Sequence, residues 1–169
     1  TTYDKFLSNP AGMKLHHAYL GGLLQHSVDV TGLAVAMSEQ IDGIDKDLVI
    51  AGALLHDIGK LREISTEVGF PYTDEGRLLG HISMSALMVQ EVAAKLRMPN
   101  NVMEKLLHIL LSHHGENDKG SPVACATKEA FIVHYADEIN AIMNQFDSYD
   151  GKGNWEFNKM MGRYLYHNK

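Results

Sequence analysis

The chain carries a single cysteine in 169 residues, so no internal disulfide can form, and the lone thiol of Cys125 suits a reducing cytoplasm. Long apolar runs are missing too. None approaches the ~20 residues that cross a bilayer, and the first residues lack the basic-then-apolar order of a secretion signal. A cytoplasmic protein with no membrane partner is therefore expected. Positive charge is in deficit, with 15 Lys and Arg against 21 Asp and Glu and a net charge of -6. That balance excludes a general polyanion-binding surface, and no basic cluster of the kind nucleic-acid binding brings is visible. Phosphate chemistry on such a chain must draw its positive charge locally, from bound metal or a few placed Lys and Arg. Internal repeats and low-complexity stretches are absent as well.

Histidine is what the chain has in excess, ten residues against one cysteine. That ratio points to metal ligation by imidazole and carboxylate and away from a zinc-ribbon type of site. Hydrophobic residues at 45% and charged residues at 21% fit one globular domain.

Apolar residues recur at helical spacing through most of the chain, which predicts an all-α fold. A first long helix is expected from about His16 to Gln40, with Tyr19, Leu23, Val30, Leu33 and Met37 on one face. A second runs from Asp47 to about Gly59 and is apolar on most sides, as a central buried helix would be. The turn chemistry of Gly69-Phe70-Pro71-Tyr72-Thr73-Asp74-Glu75-Gly76 predicts a short hairpin or loop over residues 66–80. Helices then follow from His81 to Arg97, from Asn100 or Asn101 to His114, and from Lys128 to Phe146. Residues 1–147 are expected to form the functional domain. Residues 148–169 form a polar, then aromatic, tail without an assigned role, and its apolar groups leave a homo-oligomer open.

Several histidines and aspartates fall where an amphipathic helix should be apolar. A single histidine on such a face is commonly a satisfied core residue. Here the set is larger: His26 lies within the first stripe, and His56 and Asp57 end the second helix. His81 shares a face with Ser85 and Met88, His113 and His114 flank the Leu106, Leu107, Leu110 stripe, and Asp137 sits in the apolar run from Phe131 to Ala136. A buried carboxylate without a partner costs several kcal/mol, so Asp57 and Asp137 both require cations or strong donors. If those faces meet, a dication that neutralises the aspartates and uses neutral imidazoles is the simplest way to satisfy them all. His108 reads as a surface residue and His167 as a tail residue without a role. His134, one turn before Asp137, either orients it or packs.

The order His26, His56-Asp57, Asp137, with the phrase Leu54-Leu55-His56-Asp57-Ile58-Gly59-Lys60, resembles the signature of the HD superfamily of metal-dependent phosphohydrolases. The added His81, His113 and His114 resemble its two-metal branch. Residues Tyr72 to Ser83, Leu111 to Gly115, Gly120-Ser121-Pro122 and Glu129 to Asp137 further resemble the HD domain of Gram-positive 3'-5' exoribonucleases. Those relatives carry an oligonucleotide-binding barrel before the HD domain, for which this sequence has no room. It is thus either a fragment or a stand-alone relative with a smaller substrate.

The resemblance implies an HD-domain helical bundle with one metal on His26, His56, Asp57 and Asp137, and a second on His81, His113 and His114, bridged by Asp57. Gly22 stands where trinuclear relatives that cleave cyclic dinucleotides place a glutamate, so two divalent ions are expected. Manganese is expected for turnover, with iron, nickel or zinc as alternatives. Two such ions about 3.5–4 Å apart activate a hydroxide for in-line attack on a phosphodiester. Asp57 and Lys60 are the catalytic candidates. Lys60, Arg77 and His17 are the substrate-binding candidates, and Glu63 and Glu75 are conceivable acids that nothing singles out. The expected reaction is 3'-5' exonuclease cleavage of RNA or short oligonucleotides. Nucleotide phosphomonoester hydrolysis, a di-iron oxygenase and a catalytically silent nucleotide-binding module are the other readings. The presence of every dinuclear ligand speaks against the last.

Overall fold

Residues 1–12, 19–149, 151, 153–159 and 161–168 are described by the computed structural model of the chain. Seven α-helices and one small antiparallel hairpin follow in order among them. The first helix, α1 (Thr2–Ser8), was not anticipated from the sequence. It opens on a reciprocal capping box between Thr1 and Asp4. Helix α2 (Gly22–Ser38) begins later than the periodicity suggested, because Gly21 takes a left-handed conformation at φ 85° that only glycine adopts without strain. Tyr19 therefore lies before the helix and is half exposed. The buried face of α2 is made instead by Leu23, His26, Ser27, Val30 and Ala34.

Helix α3 (Lys46–Leu55) is capped by Asp45, whose side chain accepts from Leu48 N. It stops at Leu55 rather than Gly59. A tight turn over His56–Gly59 leads into α4 (Lys60–Glu63), with Ile58 N donating to Leu55 O and Lys60 N to Asp57 O. Nor is α3 buried all round. Leu48, Val49, Gly52 and Ala53 face the core while Ile50 reaches solvent.

The expected hairpin or loop at 66–80 contracts to a single bridge between Ile64 and Tyr72. Helix α5 (Asp74–Lys95) starts seven residues earlier than expected, because Thr73 caps it by accepting from Gly76 N. Gly69-Phe70-Pro71 stay in a loop, but Thr73 to Gly76, which read as turn chemistry in the sequence, are a helix N-terminus. The backbone breaks inside this helix at Gly80 (φ 70°, ψ 151°), and the helix restarts at His81. Helix α6 (Asn100–Ser112) follows Pro99, and α7 (Lys128–Asp147) is capped by Thr127, which accepts from Ala130 N.

Helices α2, α3, α6 and α7 enclose the core, which includes Leu23, Val30, Val49, Ala53, Ile109, Leu110, Val133 and Ala136. The tail is ordered as β1 (Trp155–Asn158) and β2 (Arg163–Tyr166), paired Trp155 with Tyr166 and Phe157 with Tyr164. Those four aromatic side chains are all exposed, whereas Leu165 on the alternate face is buried. His167 is buried rather than idle, stacked on Tyr149 at 3.9 Å between ring centroids. Among the described residues no helix is long and apolar enough to cross a membrane.

Candidate metal centre

The polar residues predicted from sequence meet at one place, where α2, the α3–α4 turn, α5, the end of α6 and α7 converge. His26 Nε2 lies 3.4 Å from Asp57 Oδ2 and 3.2 Å from Asp137 Oδ1. His56 Nε2 lies 3.4 Å and 3.8 Å from the same two oxygens. The other oxygen of Asp57, Oδ1, stands 3.4 Å from His81 Nε2 and 3.8 Å from His113 Nε2. His114 completes this second group, with its ring 4.3 Å from that of His113 and 5.4 Å from that of His81. Asp57 thus turns one oxygen to each group, and it is almost fully buried.

Each of the five histidines has its Nδ1 tied to a protein acceptor. His26 donates to Asn140 Oδ1 at 2.8 Å, His56 to Ala53 O at 2.8 Å and His113 to Leu110 O at 2.7 Å. His81 donates to Glu63 Oε1 at 3.0 Å and His114 to Lys119 O at 3.2 Å. Pinning Nδ1 fixes the ring direction and turns Nε2 inward, as the atom whose lone pair would meet a cation.

These residues fit divalent cations. Donors bound at ~2.1 Å to one ion stand roughly 3.0–3.4 Å apart in octahedral or tetrahedral geometry, close to the separations seen here. The groups His26, His56, Asp57 and His81, His113, His114 each place one ligand atom per residue within 4.8 Å of the others. Asp57 Oδ1, His81 Nε2 and His113 Nε2 are buried without a hydrogen-bond partner. Buried polar atoms are seldom left so, and a cation between them would satisfy all three. The donor set of imidazole and carboxylate suits Mn, Fe, Ni or Zn and does not choose among them.

The electrostatics follow from packing opposite charges in an apolar bundle. Burial works against the Asp57 carboxylate, yet Lys60 and the imidazoles of His56 and His26 hold it well below the usual range. Asp137 is held low in the same way by His26 and His56. Burial also disfavours the His26 cation, but Asp137 and Asp57 overcome it and raise the group to about 10. Burial, reinforced by His56 and His114, keeps His113 neutral.

Other sequence expectations land differently. Lys60 places Nζ 2.6 Å from Asp57 Oδ2, at the edge of the first group. Arg77 is not on a loop; it sits on the first turns of α5, exposed, with its guanidinium 5.6 Å from the Tyr72 ring centroid. His17, and His16 beside it, lie outside the described residues. Glu75 binds Arg62 at the surface and takes no part in the cluster. His108 is not a plain surface residue, since its Nε2 accepts from Ala126 N at 2.9 Å. His134 orients no carboxylate of the site. Its Nδ1 donates to the His113 carbonyl at 2.8 Å and braces the α6 end.

Sequence reasoning missed Asn140 and did not single out Glu63. Asn140 stands three residues after Asp137, on the same side of α7, and that spacing was its only signal. Glu63 is brought to His81 by the turn after Asp57 and by the Gly80 break, which sequence spacing does not reveal. A helix restarting at His81 leaves its first N–H groups without carbonyl partners. Glu63 Oε1 takes the one from His81 N at 2.9 Å.

A cleft of about 920 Å³ opens beside the cluster, lined by His114 and Asp137 and also by Arg163 of the hairpin.

A family model described as the HD domain matches residues 23–142. The Bacillus subtilis (strain 168) protein named 3'-5' exoribonuclease YhaM is 41% identical over 143 residues, covering 85% of this chain and 46% of that protein. The chain therefore spans less than half the length of this relative. Crystal structures of the HD domain of the L. monocytogenes phosphodiesterase PgpH, alone and with cyclic-di-AMP, share the fold. Their TM-scores are 0.54 and 0.53 at 22% identity, over 89% of this chain and 76% and 74% of theirs. The span matched by the family model holds all seven clustered histidines and aspartates, and the chain belongs to the HD domain family.

Proposed function

We propose that this chain is a metal-dependent phosphohydrolase that cleaves phosphodiester bonds, acting 3'-5' on RNA or short oligonucleotides. The observation that carries the reading is the Asp57 carboxylate shared between two ligand groups: one oxygen faces His26 and His56, which Asp137 also approaches, and the other faces His81 and His113, with the His114 ring beside them. The similarity to a protein named as a 3'-5' exoribonuclease supports the choice of RNA and of direction. Two divalent ions on these residues would supply Lewis acidity and an activated water. Manganese is the proposed ion for turnover, and a reducing cytoplasm is the proposed setting.

The chain's own residues do the positioning. Asn140 and Glu63 hold His26 and His81 in the tautomer that presents Nε2. His134 fixes the backbone of His113 where α6 ends. Asp57 holds its charge at neutral pH because Lys60 and the imidazoles around it outweigh burial. Lys60, at the rim, donates to a phosphate oxygen or to the leaving oxygen as negative charge gathers there.

The deciding experiment is a manganese-replete assay that compares a 5'-labelled short RNA with a panel of nucleoside monophosphates. Products shortened one nucleotide at a time from the 3' end support the proposal. Release of inorganic phosphate from monophosphates with the RNA untouched would make the protein a nucleotidase instead. His26→Ala and Asp57→Ala should lose metal and activity while remaining helical, and wild-type turnover in either would overturn the metal assignment.

A further inference from the structure

We propose that the cleft between α7 and the C-terminal hairpin is a strand-binding subsite, in which Arg163 holds a backbone phosphate one or more nucleotides away from the scissile one. The inference rests on the phosphodiesterase reading and adds to it the subsite for a strand beyond the scissile phosphate and the residue that distinguishes a strand from a mononucleotide.

Position comes first. The cleft of about 920 Å³ is lined both by His114 and Asp137 of the metal cluster and by Arg163 of the hairpin. That size is at the upper end of the roughly 300–1,000 Å³ typical of pockets that bury a whole small ligand. It has room for more than a phosphate at the metals. The hairpin is held to the body and does not hang free: Asn158, paired with Arg163 across the ladder, donates to Gln145 Oε1 on α7, and Leu165 is buried. Arg163 is thereby carried at a fixed edge of the cleft.

Charge comes second. Among the described residues, the lysine and arginine side chains that border the cleft are Lys119 and Arg163. Lys119 is already paired with Glu138 Oε1 at 2.8 Å. Arg163 donates from Nε to the Met161 carbonyl at 3.3 Å, and among the described residues it has no carboxylate partner. In a chain of net charge -6, a guanidinium that has no carboxylate partner among the described residues, beside a cleft that also reaches the metal cluster, supplies local positive charge where a polyanion needs it. Its planar fork can grip a phosphodiester through two N–H donors. A mononucleotide has its one phosphate at the metals and gains nothing from Arg163. A strand with further phosphates does.

The test uses the full chain with Arg163→Ala and Arg163→Lys, each checked for helical content by circular dichroism. With manganese present, kcat/KM is measured for a five-nucleotide RNA and for bis(4-nitrophenyl) phosphate, which has no second phosphate. The ratio of the two should fall about tenfold in Arg163→Ala and recover in part in Arg163→Lys. Independently, fluorescence anisotropy with the labelled RNA in EDTA, where nothing is cut, should show weaker binding by the alanine variant. Its dependence of log K on log salt should be shallower by about 0.7, the loss of one phosphate contact on a single strand. An unchanged ratio together with an unchanged Kd would make Arg163 a solvated hairpin charge and overturn the proposal. If wild type cut neither substrate, the phosphodiesterase reading would fail, and the anisotropy comparison would still decide the role of Arg163.

Discussion

Glu63 Oε1 accepts two hydrogen bonds from His81, one from its backbone N at 2.9 Å and one from Nδ1 at 3.0 Å. A single buried carboxylate thus fixes where the helix restarts and which ring nitrogen of His81 faces the cluster. Losing such a partner of a ligating histidine typically costs 10–100-fold in metal affinity. Glu63→Ala should therefore weaken the ion held by His81, His113 and His114 by about that factor, while the ion at His26 and His56 is retained. Glu63→Gln, which keeps an acceptor, should lose less. Metal content after dialysis against graded chelator reads the difference. Loss of both ions in parallel would show that Glu63 acts on the fold rather than on His81.

Gly59 follows the His-Asp pair, and its backbone angles are ordinary, with φ -63°. Space is what requires glycine. A Cβ there would stand 2.2 Å from His81 O and 2.7 Å from Ser85 N, both backbone atoms that cannot swing aside. Gly59 N also donates to Ser85 Oγ at 2.8 Å, locking the turn onto α5. Gly59→Ala should cost at least about 2 kcal/mol, as overpacking of a close contact does. It should also separate His81 from Asp57. Urea denaturation measures the first effect and metal stoichiometry the second. A variant as stable as wild type would mean that the two segments can part at little cost.

Lys60 is the cation nearest Asp57, and it is itself mostly buried. Removing one member of a buried pair leaves the other charge uncompensated, at a cost on the order of 3 kcal/mol. A bound dication would compensate Asp57 as well. Lys60→Met should consequently lower the melting temperature clearly in EDTA and much less with saturating manganese. Equal losses under both conditions would place the role of Lys60 in packing and not in charge.

The metal-free protein should be most stable near pH 6.5. His26, raised to about 10 by Asp137 and Asp57 against the effect of burial, keeps its proton in the fold where an unfolded histidine gives it up near 6.5. Its contribution is complete below about 6.5 and is lost as the pH rises toward 10. His113 and His114 are displaced the other way, by burial first and by neighbouring imidazoles second. Below about 6.5 the unfolded chain takes up protons that these two refuse in the fold, so stability falls with pH there. Asp57 and Asp137, held low by Lys60, His26 and His56 despite burial, add a further loss below about pH 4. Each limb approaches roughly 1.4 kcal/mol per pH unit for each proton involved. Thermal melts in EDTA from pH 4 to 9 test this, and stability that climbs steadily from pH 7 to 9 would contradict the His26 assignment.

Helix periodicity placed α6 and α7 to within a few residues, because long amphipathic faces and clear stops at Pro99 and Gly115 are local properties of the chain. Local chemistry was misread where one signal serves two structures. Thr73-Asp74-Glu75 looks like a turn and is the capped start of α5, and left-handed Gly21 sets the start of α2 later than periodicity alone places it. Histidines and aspartates on apolar faces identified the cluster, since a buried polar group must find a partner wherever the chain folds.

The sequence by itself determined an all-α protein of the HD family and named the histidines and aspartates that come together, because burial periodicity and residue type are written locally. Only the tertiary structure decided how they are shared. It divided the two oxygens of Asp57 between two groups, recruited Glu63 and Asn140 to hold His81 and His26, and brought Arg163 from the far end of the chain to the cleft beside Asp137. Those relationships join residues up to more than a hundred positions apart, as with His26 and Asn140. They are set by how five structural elements pack, and no periodicity within one helix encodes them.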